Sequence, residues 1–135
     1  KKNQNQIETT IELLVHYNAS NSLLADKSFR ELDSKMIFEA AEKGDKVALE
    51  VFEKTGAWLG FELANTVHYL SPEAIFLFGG PTAAGDYIFK PAKESMEKHL
   101  LPFFKNKIKI LPSKLKPGDA AIVGASALVW KEIEK

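Results

Sequence analysis

Ala74-Ile75-Phe76-Leu77-Phe78-Gly79-Gly80 is the stretch on which the fold of this chain turns. A run of five apolar residues between Pro72 and Gly79 is too short for a buried helix, so it reads as a strand covered on both faces. Downstream, residues 79–85 form a loop. Asp86 then opens a helix that reaches about Leu100, and Pro91 either kinks it or marks its true first turn. Lys107-Ile108-Lys109-Ile110-Leu111 alternates and predicts a second strand with one wetter face. Two strands separated by a helix make a parallel βαβ unit with a right-handed crossover. Two parallel strands are too small a sheet to be buried on both faces alone. Partner strands therefore come from elsewhere, or the helices wrap an unusually thin sheet.

Upstream of the strand the chain is helical. Ile7, Ile11, Leu14 and Val15 recur at helical spacing, predicting a helix over residues 5–19. Residues 20–33 read as a loop with an apolar patch at Leu23-Leu24. Asp33 or Ser34 caps a short helix over 34–43, which Gly44 ends. Asp45 opens the longest element, about 45–70, stopped by Ser71-Pro72. Its apolar stripe runs Ala48, Phe52, Leu59, Leu63 and Leu70. Beside the stripe lies a column of small residues, Gly56, Gly60 and Ala64. Each helical glycine costs about 1 kcal/mol against alanine, so two on one face predict another backbone packed close to them. At the far end, residues 112–118 are loop and Asp119 caps a last helix over 120–133, rich in small residues. The predicted order is α-α-α-β-α-β-α.

Composition bounds the functional classes. The 135 residues amount to one domain, 45% hydrophobic and 27% charged, enough for a core that buries roughly two-thirds of the unfolded surface. Eighteen basic and 18 acidic side chains cancel, which argues against a dedicated nucleic-acid binder. With no cysteine, disulfide frameworks and thiolate metal sites are excluded. His16, His68 and His99 are too scattered to form a metal cluster. The longest apolar stretch, Ala120 to Trp130, falls far short of the ~20 residues that span a bilayer. The polar opening, Lys1 to Gln6, has no apolar signal core and no initiator Met, so the chain reads as a cytoplasmic fragment. Asn18-Ala19-Ser20 fits the glycosylation sequon by chance.

The loop at Gly79-Gly80 is the most informative place for chemistry. It follows a buried strand and precedes a helix, where open α/β sheets bind ligands. Glycines there let a flat ligand come close to the backbone. Gly-Gly-Pro-Thr-Ala-Ala-Gly lacks the dinucleotide spacing, and no Gly-Lys-Ser/Thr follows to make a phosphate-binding P-loop. Asp86 in the first helical turn would repel a phosphate, so a nucleotide here offers its sugar and base. Other candidates read as structural. Lys105, Lys107, Lys109, Lys114 and Lys116 read either as a patch that draws in a polyanion such as ATP or, the favoured reading, as a solvated, aggregation-resistant strand edge. Ser126 misses the G-x-S-x-G elbow. His68 and His99 sit at helix C-termini without catalytic partners in sequence.

Four stretches together resemble the ROK family (repressors, open reading frames, kinases), over about residues 34–130. They are Ile37 through Asp45 with Ala48; Gly56-Ala57-Trp58-Leu59-Gly60 with Leu63-Ala64-Asn65; Ser71 through Gly80 with Ala84-Gly85-Asp86; and Gly118 through Leu128. Within the family the chain is most similar to bacterial glucokinase-like members. The resemblance implies a partial RNase H-like domain of the actin-like ATPase type, with residues 1–135 the latter part of the second lobe and about 170 residues before it. It also implies a nucleotide site at Gly79, Gly80, Pro81 and Thr82, with Gly79-Gly80 matching the family's adenosine-binding glycines. The last helix matches the interdomain connector. Pro81 departs from a third glycine that the family often carries and stiffens the loop; Ala121 departs from another.

The family's Asp-Gly phosphate motif, its general base and its His/Cys zinc cluster belong upstream. The resemblance thus implies the nucleotide-side portion of an ATP- and Mg2+-dependent hexose kinase acting on a sugar 6-hydroxyl, homo-oligomeric and inactive as this fragment alone. The alternative is the effector and oligomerisation domain of a sugar-responsive repressor of the same family. A third reading is a ligand-free interaction module, built on the Lys-rich strand and the small-residue helices.

Overall fold

The computed structural model describes residues 8–13, 21–27, 30–115 and 119–133. Helical residues 8–13 (α1) lie within the first predicted helix; residues 5–7 and 14–19 of that prediction, the sequon and Gly118 fall outside the described set. Then come α2 (Ser34–Glu42), α3 (Lys46–Leu70), β1 (Ala74–Leu77), a 3-10 helix (Gly80–Ala84), α4 (Asp86–His99), β2 (Lys109–Pro112) and α5 (Asp119–Ile133). The predicted order of elements holds.

Local chemistry explains the boundaries. Asp33 caps α2 by accepting from Met36 N at 2.8 Å. Gly44 N donates to Ala41 O at 2.9 Å where that helix ends. Asp45 caps α3 through Ala48 N at 3.0 Å, and the same carboxylate accepts from Leu23 N at 2.7 Å and Ser22 Oγ at 2.9 Å. Burial pushes its pKa up, but the bonds from Ala48, Leu23, Ser22 and Val47 outweigh burial and hold it below the ordinary aspartate value. One side chain thus starts the long helix and pins the preceding loop, in which Leu24 is buried while Leu23 is 55% exposed.

The helix α3 is the spine of the molecule. Val47, Ala48, Val51 and Phe52 join Leu13, Leu24, Leu32, Ile37, Ala41 and Ile88 in one core cluster. Leu63, Ala64 and Val67 join Met96, Leu100 and Ile108 in a second, and Leu59 packs against both. The predicted stripe is right at Ala48, Phe52, Leu59 and Leu63. It fails at Leu70, which is 73% exposed at the helix end while Val67 carries the buried face onward. The small-residue column lies on that face itself, against α4. A Cβ on Gly60 would stand 2.1 Å from Ala92 O and 2.8 Å from Met96 N; one on Gly56 would stand 2.5 Å from Pro91 Cγ. The predicted close backbone approach is the α3–α4 contact. Ser95 Oγ crosses it to donate to Ala57 O at 2.6 Å. Pro91 sits inside α4 and does not mark its first turn.

β1 and β2 pair in parallel, Ala74 opposite Lys109 and Leu77 opposite Pro112. Two expectations are corrected here. The second strand begins at Lys109, two residues later than its alternation suggests, because the chain is still turning: Lys107 N donates to Phe104 O, and Asn106 takes φ 59 with its N–H on Glu97 Oε2 at 3.0 Å. The first strand is not covered on both faces. Ile75, Leu77 and Ile110 pack on the second core cluster, whereas Phe76 is 66% and Phe78 49% exposed on the opposite face, with Leu111 beside them. Glu73 O and Leu77 O receive Lys109 N and Ser113 N, so the backbone of Ala74, Phe76 and Phe78 faces the other edge, which no described residue pairs. The sheet has one covered face and one open edge.

Asp119 lies in the first turn of α5 rather than before it. No helix among the described residues is long and apolar enough to cross a membrane.

Candidate functional site

The strand β1 delivers the chain to Gly79 at its C-terminal end, and the loop there is built by two glycines and a threonine. Gly79 takes φ 121 and ψ 177, a conformation closed to side chains. Its carbonyl accepts twice from Thr82, from Oγ1 at 2.6 Å and from N at 3.2 Å, which winds residues 80–84 into the 3-10 helix. Gly85 N closes that helix on Thr82 O at 3.1 Å, and Gly85 O accepts Ile88 N and Phe89 N at 3.0 Å to start α4. Ala84 is buried among Ile37, Ala40 and Ala41, so the back of the loop is seated on α2. An aromatic trio, Phe38, Phe52 and Tyr87, with ring centroids 5.9–6.4 Å apart, packs α2, α3 and the start of α4 together.

The front of the loop is open. Gly79 and Gly80 are exposed, and a Cβ built on either would meet nothing within 4 Å. Thr82 is half-buried, and Pro81 contributes backbone to the 3-10 helix. The four residues singled out in sequence therefore lie together in one short turn at the end of β1, with Gly79 and Gly80 exposed on it. Asp86 follows in the first turn of α4, as expected from its place in the chain. What sequence reasoning missed is the Thr82–Gly79 bond. Its signal was present, a threonine three residues after a glycine at a strand end, where hydroxyls close turns.

The remaining candidates keep structural places. His68 Nε2 accepts Leu101 N at 3.2 Å, tying the end of α3 to the segment after α4, and His99 Nδ1 meets Ser95 O at 2.7 Å. Ser126 Oγ donates to Ile122 O within its own helix at 2.8 Å. Lys105, Lys107, Lys109 and Lys114 are solvated; Lys116 lies outside the described residues. Among the described residues, no group of three or more His, Asp or Glu is placed to hold a metal ion.

Comparison with known proteins bears on this arrangement. The chain is 31% identical over 101 residues to the glucokinase of Thermotoga maritima, an alignment covering 75% of this chain and 32% of that protein. It is 36% identical over 96 residues to the DNA-binding transcriptional dual regulator NagC of Escherichia coli, covering 70% of this chain and 23% of the regulator. The crystal structure of a ROK family glucokinase from Streptomyces griseus, in complex with glucose and AMPPNP, superposes with a TM-score of 0.76 at 27% identity, covering 91% of this chain and 40% of that one. The chain thus spans less than half the length of each. The likeness identifies the α/β architecture as part of an actin-like ATPase fold. The ROK family pattern itself runs from residue 12 to residue 132, through α2, the glycines of α3, the strand-end loop and α5, and the chain belongs to the ROK family.

Proposed function

We propose that this chain is the nucleotide-side portion of an ATP-dependent hexose kinase of the glucokinase type, the latter part of its second lobe, with adenosine resting on Gly79 and Gly80. The observation that carries the reading is at Gly80. Its backbone is not in the left-handed region and nothing crowds a Cβ there, so the fold itself has no need of glycine at that position. A flat ligand arriving from outside does. Pro81 and Thr82 complete the same surface.

In this reading the chain binds and orients, and the upstream lobe reacts. Phosphoryl transfer needs a base for the sugar hydroxyl and a clamp for the phosphates. In this reading both lie upstream of this chain, as do the contacts to the sugar, where the family resemblance puts them; no Asp-Gly pair stands among the 135 residues. Mg2+ bound with the phosphates would neutralise charge on the transferring group. The fragment alone is then inactive, and the intact protein is a cytoplasmic homo-oligomer that takes ATP and a hexose.

A coupled assay of the intact protein with ATP and glucose, mannose, fructose or N-acetyl sugars is expected to show turnover at the 6-hydroxyl of at least one. Silence with every sugar removes the kinase reading. The match to NagC supports a second reading, the effector and oligomerisation domain of a sugar-responsive repressor. That reading expects no turnover and a sugar-dependent loss of operator binding.

A further inference from the structure

Gly79 and Gly80 share one peptide unit, and what it offers a ligand depends on which way it faces. Its carbonyl is engaged from inside the turn by the hydroxyl and the amide of Thr82, at 2.6 and 3.2 Å. No peptide bond among the described residues is cis. In a trans peptide the N–H points opposite to the carbonyl. Gly80 N–H is therefore directed away from Thr82, and no described residue accepts it. Glycine on both sides of a peptide leaves little steric resistance to its rotation. Without the hydroxyl, only the longer amide bond would hold the orientation.

We infer that Thr82 is a positioning residue for the nucleotide. It touches no ligand; it fixes the Gly79–Gly80 peptide so that Gly80 N–H is presented to an acceptor atom of the nucleoside, a ribose oxygen or a ring nitrogen. This rests on the nucleotide site proposed above and changes the role of Thr82 within it, from contact to brace.

The test uses the intact protein that carries this chain, with ATP and sugar affinities measured by calorimetry. Thr82→Val removes the hydroxyl at nearly constant volume, and Thr82→Ser keeps it. Thr82→Val is expected to weaken ATP binding about tenfold, the size of one lost hydrogen bond. Thr82→Ser should restore wild-type affinity, with sugar affinity unchanged in both. Gly80→Val serves as the marker for the site itself. If Gly80→Val weakens ATP binding and Thr82→Val does not, the positioning role is overturned and the site stands. If neither variant affects ATP, the site is wrong. Equal losses of ATP and sugar affinity in Thr82→Val, or failure of Thr82→Ser to restore ATP binding, also overturn the role, because a merely structural threonine would behave that way.

Discussion

Glycine stands at positions 79 and 80 for different reasons. At Gly79 the backbone demands it: φ 121 with ψ 177 is open to glycine and to almost nothing else. At Gly80 the backbone makes no such demand and the space around it is empty. The two can be separated experimentally. Gly79→Ala is expected to destabilise the protein by about 1–3 kcal/mol through forced strain. Gly80→Ala should leave stability unchanged or raise it by up to ~1 kcal/mol, since alanine restricts the unfolded chain. Urea denaturation of the two variants checks the contrast, and equal losses would mean that both glycines serve the fold. The pair was visible in sequence as a turn at a strand end. The division of labour was not, because φ at one position depends on how Thr82 draws the chain back on itself.

Helix α3 shows how far spacing alone can reach. Two glycines four residues apart each weaken a helix, and the loss has to be offset by something packed where a side chain would be. That something is the backbone of α4. At Gly60 the obstruction would be a carbonyl oxygen and an amide nitrogen, which cannot rotate away; at Gly56 it would be the ring of Pro91 and, at 3.0 Å, Ile88 O. Gly60→Ala should therefore cost about 2–3 kcal/mol by overpacking, more than Gly56→Ala. Chemical denaturation midpoints test the order, and a neutral Gly60→Ala would show that the two helices are not in register there. The strands were less legible. Lys107 through Ile110 alternates from its first residue, and periodicity cannot say where pairing begins. Pairing starts only where Glu73 O is within reach of Lys109 N, after the turn held by Glu97 and Asn106. Pro112 fits at the end of β2 because the donors on either side of the pair, Lys109 and Ser113, face β1 and Pro112 faces away.

At the scale of the whole molecule, the described residues set a two-stranded sheet against α3 and α4 and leave one of its edges open. The continuous apolar run of β1 reads as a strand buried on both faces, yet here Phe76 and Phe78 are open to solvent and the outer edge of β1 is unpaired among the described residues. A local pattern reports the surroundings in which the strand is used, and in the reading proposed here those surroundings include residues outside this chain. The relatives, of which this chain covers between 23% and 40%, are long enough to supply them. The same reasoning sets the division of function proposed here, with the strand-end loop holding the nucleoside and the catalytic groups on the other lobe. The most direct test is a crystal structure of the intact protein with a non-hydrolysable ATP analogue. The account predicts the adenosine lying against the Gly79–Gly80 peptide, within hydrogen-bond reach of Gly80 N–H. A nucleoside bound well ordered at any other place in the molecule would contradict it.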